Sequence, residues 1–265
     1  MDPAEIPGRL HGTLINLEGF DRAYVRPHLD SSHALSPREV AIGSTYLRTL
    51  GNVRTLILLS SADHFQAIAM LSRSILELAV ELHLIDVIPD AAEAFNAYER
   101  LEKVRSARRI VEFYSRGSAK PVPHVQVYER FLAENADKIE ALAKRLWPGK
   151  TPLHWSGLRL RDRALRLKAP FDELHEVHYQ QLSWNSHPGS AGVLNLDAKM
   201  FPLLCGMAYE VAIKSYVLVL GFMIAEMKLK DRDDLIENRL RFAQLAAMCS
   251  SQEEADGMRR ELLGD

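Results

Sequence analysis

Arg73, Glu77 and Glu81 recur at every fourth position within RSILELAVEL, and Tyr179, Ser183 and His187 repeat that spacing within YQQLSWNSH. Four residues advance a helix by one turn plus about 40°, so each set lies along one helical face. A guanidinium, two carboxylates, a phenol, a hydroxyl and an imidazole on confronting faces can bind an anion and move a proton. Arg73 is the expected anion ligand. Glu77 or His187 is the proton carrier, His187 having an ordinary pKa near neutrality. Tyr179 and Ser183 complete the candidate catalytic set. The same residues can also form a satisfied network that fixes helix register, because a charge on an apolar helix needs a partner. Both readings require Arg73 and Glu77 to meet Ser183 or His187.

Helices must position these groups, and the chain signals them clearly. Ser36, Pro37 and Glu39 predict an N-cap, a first-turn proline and a capping box, opening a helix that runs to about Leu59. From Asp63 to Ile88, apolar residues at 68, 71, 75, 78, 82 and 85 alternate steps of three and four, and further apolar residues fill the other faces. That helix is expected at the centre. Further helices are predicted from Asp90 to Tyr114, Val125 to Trp147, Phe171 to Ser186, Asp197 to Lys228, Asp231 to Met248 and Glu253 to Leu263, with Lys150 to Pro170 irregular. No segment alternates with period two, and no Gly-rich phosphate loop or fixed repeat occurs. The expectation is an all-α fold, a single bundle of six or seven helices around two central apolar ones. Residues 1–35 are expected to be an irregular lead-in, 36–228 the bundle core, and 229–265 helices packed on that core.

Composition narrows the setting. The 265 residues carry 33 Lys and Arg against 35 Asp and Glu, so no global charge draws the molecule to a polyanion. A local charge does exist: between Lys144 and Lys168 eight basic residues face one acid, Asp162, and Trp147 and Trp155 are interleaved. Arg159, Arg161, Arg163, Arg166 and Lys168 could track phosphates while Trp155 stacks on a base; a solvated or internally paired surface is the alternative. His175 and His178 have metal-ligand spacing but lack marked third and fourth ligands, so no metal and no cofactor is expected. Phe201 to Ala225 is long and apolar, yet Glu210 and Lys214 at i and i+4 suit a buried helix with one wet strip better than a membrane span. Cys205 and Cys249 make no disulfide framework, and the first residues lack a signal-peptide pattern, so a cytoplasmic protein is expected.

The order of RSILELAVEL, HWSG and YQQLSWNSHPGSAG resembles a widespread family of uncharacterised, all-helical microbial proteins, over about Ser36 to Glu226. Arg73, Glu77, Trp155, Tyr179, Ser183 and His187 fall where that pattern has its marked positions. The family is distantly similar to the HEPN class of nucleotide-binding helical bundles, many of which are RNases of toxin and phage-defence systems while others only bind. This resemblance implies an effector acting on RNA or nucleotides, a homo-oligomer, with an antitoxin or defence component as protein partner. One departure stands out. The Arg-polar-His motif of HEPN RNases is not matched: Arg22 to His28 and Arg26 to His33 have the spacing, but Ala23 and Pro27 occupy the polar position. That absence favours a second class of function, a non-catalytic helical interaction or regulatory module.

Overall fold

The computed structural model describes residues 5–29, 34–116, 123–149, 152–184 and 200–264. These are helical almost throughout, and no strand occurs among the described residues, as the lack of period-two alternation predicts. The chain divides into two compact units. One comprises Met1–Ala34, Ile42–Leu84 and Leu160–Asp265, the other Leu35–Ala41 and Ile85–Arg159. The all-α class holds, but one bundle of six or seven helices does not describe a chain with two units.

The first unit opens with α1 (Ile6–Phe20), whose Leu14, Leu17 and Phe20 are buried. This corrects the irregular lead-in expected over residues 1–35. Pro7 sits in the first turn, where its missing N–H costs nothing. Gly12 permits close approach: a Cβ there would lie 3.3 Å from the Ala247 Cβ. Next come α2 (Pro37–Ile57) and α3 (Phe65–Val87). The predicted capping box is present: Ser36 N–H donates to Glu39 Oε2 at 2.7 Å and Glu39 N–H to Ser36 Oγ at 3.2 Å.

The second unit is built on α4 (Ala91–Arg116) and α5 (Pro123–Leu146), which pack along each other. Ala97 and Ala107 of α4 and Ala136 and Ala143 of α5 are buried, small residues that let the two backbones come close. Arg108 pairs with Glu140 and Arg145 with Glu93 across the same two helices. Beside them Trp147 Nε1 donates to the Trp155 carbonyl at 3.1 Å, and His154 stands against Tyr98 and Trp155. Burial pushes the His154 imidazole down to about 4.

Back in the first unit, α6 (Leu160–Leu167) corrects the irregular stretch expected between Lys150 and Pro170. Then α7 (Phe171–Glu173) runs through a π turn, Leu174–Tyr179, into α8 (Gln180–Trp184). The apolar α9 (Phe201–Glu226) follows, and 61% of its most hydrophobic window is buried. Glu210 and Lys214 form the expected exposed ion pair at 2.6 Å. Finally α10 (Ile236–Leu245) packs on α1 and α9, and α11 (Gln252–Leu263) on α10.

α1 and α9 also grip the chain where α2 ends. His11 Nε2 meets the Ile57 carbonyl at 2.7 Å, the Tyr209 hydroxyl donates to the Leu59 carbonyl, and Cys205 Sγ reaches the Ala62 carbonyl at 3.7 Å. The Ile57 and Leu59 carbonyls, at and just past the end of α2, are thereby satisfied from two neighbouring helices, while the Ala62 carbonyl also accepts the Phe65 N–H.

Candidate functional site

The polar face of α3 meets the segment α7–α8. Arg73 Nε donates to Glu77 Oε1 at 2.8 Å, and Arg73 Nη1 donates to Ser183 Oγ at 3.3 Å. The Tyr179 hydroxyl donates to the same Glu77 oxygen at 2.8 Å. Ser183 thus faces Arg73 and Tyr179 faces Glu77, so the two elements run antiparallel. Arg73, Glu77, Tyr179 and Ser183 come together as the spacing predicts. His187 lies outside the described residues.

Tyr179 is held on its ring as well as its hydroxyl. The Arg73 guanidinium lies 4.8 Å from the ring centroid, and His175 stacks on the ring at 5.0 Å. Burial, reinforced by the Glu77 carboxylate, pushes the phenol up to about 12, so it stays protonated at neutral pH. His175 itself is lowered by burial, against the pull of Glu176. Desolvation is the largest single effect on Arg73 and lowers it, but the bond and charge of Glu77 together with Tyr179 hold it above its ordinary value. The cluster therefore presents a fixed cation, a carboxylate and a neutral phenol donor at one place.

Glu81, the third member of the α3 face, pairs with Arg163 of α6, and both side chains are 12% exposed. The pair closes one end of the face, whereas Arg73 and Glu77 are 22% and 37% exposed at the other. Arg163 was expected among the phosphate ligands; it is instead largely enclosed and paired with Glu81, unlike the exposed basic residues of the same stretch. The signal was present in α6, where Arg163 shares a face with Leu160 and Leu167, an apolar stripe with a charge at its centre.

The other basic residues are placed differently from one another. Arg161 bonds Glu176 at 2.7 Å on the surface, while Arg159, Arg166 and Lys168 are exposed. Arg159 belongs to the second unit and Arg161, Arg163, Arg166 and Lys168 to the first. Trp155 is 3% exposed, so its ring offers no face to a base, and the stacking role expected of it is corrected. Among the described residues no group of three or more His, Cys, Asp or Glu side chains is placed to hold a metal ion. Cys205 and Cys249 are free thiols, and burial pushes Cys205 up to about 11, away from thiolate chemistry.

A second polar group escaped the sequence reading. Asp21 is fully buried, accepting from the Tyr46 hydroxyl at 2.5 Å and from Arg26 Nε at 3.2 Å. Arg26 also bonds Glu18 at 2.6 Å, and Arg54 reaches the same Glu18 oxygen at 3.2 Å. Its trace in the sequence is faint: Asp21 continues the apolar stripe Leu14, Leu17 to Val25. Arg26, one of the near-matches to the HEPN motif, is thus engaged with Glu18 and Asp21.

The model of a family of unknown function, DUF5677, matches residues 39–199, more than half of the chain. No curated protein and no solved structure matches it.

Proposed function

We propose, from the premise that this chain belongs to that family of unknown function, that it is a helical effector acting on RNA or nucleotides, HEPN-like, a ribonuclease of the toxin or defence kind. The observation that carries the reading is the open end of the α3 face. Arg73 and Glu77 keep 22% and 37% of their side chains in water beside a pair, Glu81 and Arg163, that is shut away at 12%. Register alone would be fixed as well by a closed cluster.

The chemistry suits transfer within an RNA strand. Arg73 holds the phosphate and offsets the charge that builds on it. Glu77 takes the proton of the ribose 2′-hydroxyl as its oxygen bonds phosphorus, while Tyr179, protonated, orients the carboxylate. The bond from phosphorus to the 5′-oxygen breaks, and His187 as imidazolium gives that oxygen its proton. A 2′,3′-cyclic phosphate and a free 5′-hydroxyl result, and no outside oxidant, metal or cofactor enters the balance. Ser183 positions Arg73. Under this reading the protein is cytoplasmic, works as a homo-oligomer and is restrained by a protein antitoxin or defence partner.

One observation favours the alternative, a non-catalytic interaction or regulatory module: Arg145, Arg161 and Arg163 are spent on ion pairs with the chain's own acids. Incubation of the purified protein with end-labelled RNA at low salt, with EDTA or with divalent metal, separates the two. Cleavage in both conditions, lost by about a hundredfold or more in Glu77→Gln and His187→Ala with melting temperature little changed, is the expected result. RNA left intact by the wild-type protein would favour the module.

A further inference from the structure

Trp184 follows Ser183 at the end of α8 and is 50% exposed. Large aromatic side chains are mostly buried, and the other tryptophans here conform: Trp155 is 3% exposed, and Trp147 is partly buried with its Nε1 bonded to the Trp155 carbonyl. Trp184 therefore differs in kind. The antiparallel register, Arg73 opposite Ser183 and Glu77 opposite Tyr179, puts it at the end of the cluster away from the Glu81–Arg163 pair. Met70, one turn before Arg73 on α3 and also 50% exposed, lies toward the same end. Trp184 directly follows Ser183, so their Cα atoms are about 3.8 Å apart and their side chains leave the helix about 100° apart, the indole flanking the Ser183–Arg73 bond rather than covering it.

We infer that Trp184 is the base-stacking platform of this site, and that the ligand is single-stranded RNA. One base lies on the indole while the neighbouring phosphate meets Arg73 and Ser183. The inference rests on the RNA-directed reading above and sharpens it. Specificity is for unpaired bases, because an indole can stack only on a base that has left its own helix, and every base has a face to offer. It also supplies the aromatic surface that the buried Trp155 cannot.

The test uses the full chain, Trp184→Ala and Trp184→Phe, each titrated with labelled oligoriboadenylate and with an abasic ribose-phosphate oligomer of equal length over a range of salt. The wild type is expected to bind the base-bearing strand about tenfold or more tightly than the abasic one. Trp184→Ala should erase that preference without changing the salt slope, since no phosphate contact is lost, and Trp184→Phe should keep most of it. Binding should quench wild-type tryptophan fluorescence, a response absent from both variants at that position. Equal affinity of wild type and Trp184→Ala for the base-bearing strand, with Arg73→Lys still weakened, would overturn the stacking role and leave the RNA reading standing. Failure of the wild type to bind either oligomer at low salt would overturn both.

Discussion

Two polar groups in the first unit are made of the same parts. Each joins a carboxylate, an arginine and a tyrosine, Asp21 with Arg26 and Tyr46, Glu77 with Arg73 and Tyr179, and each includes a π turn, Asp21–Val25 or Leu174–Tyr179. They differ in access to water. The Asp21 side chain is 0% exposed and the Glu77 side chain 37%. Burial raises Asp21 above its ordinary value even though Tyr46, Tyr216 and Arg26 pull the other way; Glu18, more open and bonded by two arginines, falls below its own despite desolvation. Like parts in a closed place hold a fold together. In an open place they stay in contact with water, and the π turn, present in both groups, does not separate them.

Removing the arginine should separate the two most sharply. Arg26→Leu strands a buried carboxylate and should cost about 3 to 5 kcal/mol in urea unfolding, whereas Arg73→Leu, beside a carboxylate still in water, should cost about 1 kcal/mol. Equal losses would erase the distinction. Next in size come the phenols: Tyr46→Phe removes a buried bond to a charged acceptor and should cost about 1.5 to 3 kcal/mol, with Tyr179→Phe well below it, both by urea unfolding.

The smallest effect is in pH. Because Asp21 is raised in the folded state, the native protein binds the extra proton, so this residue's contribution is best below about 3.8 and is lost as pH rises through its raised value. Asp21→Asn should flatten that limb of the stability curve, measured by denaturation at stepped pH. Glu18, lowered in the fold, contributes in the opposite sense, with stability present above its ordinary value and lost on acidification. An unchanged acid limb in Asp21→Asn would mean that the closed group does not set the protein's acid response.

What could be read from the sequence was local or periodic. The capping box at Ser36 and Glu39 and the apolar run of α3 depend on neighbours within a turn or two. The meeting of the Arg73 and Glu77 face with Ser183 was legible because both faces share one spacing and buried charge needs a partner, whereas the partner of Glu77 within that face, Tyr179, was not singled out. Partnerships without a matching period were not. Glu81 finds Arg163 from a stretch dense in cations, where composition suggested a surface and only the flanking Leu160 and Leu167 hinted at burial. Trp155 looked like part of that surface for the same reason, yet packs edge-on against Phe95. α1 was hidden by Pro7 and by Gly8, Gly12 and Gly19, of which Gly12 lies close against another segment. The division into two units left no mark, since α2 and α3 both run across it as unbroken helices.

The grip on the three carbonyls at and beyond the end of α2 reaches past the matched span. Ile57, Leu59 and Ala62 lie inside the matched span 39–199, but the side chains that satisfy them, His11, Cys205 and Tyr209, lie outside it on either side. The matched stretch therefore draws part of its packing and hydrogen bonding from residues outside its own bounds. A fragment cut to those bounds would lose Leu14, Leu17, Val211, Tyr216 and Val219 from its interior and leave backbone acceptors bare.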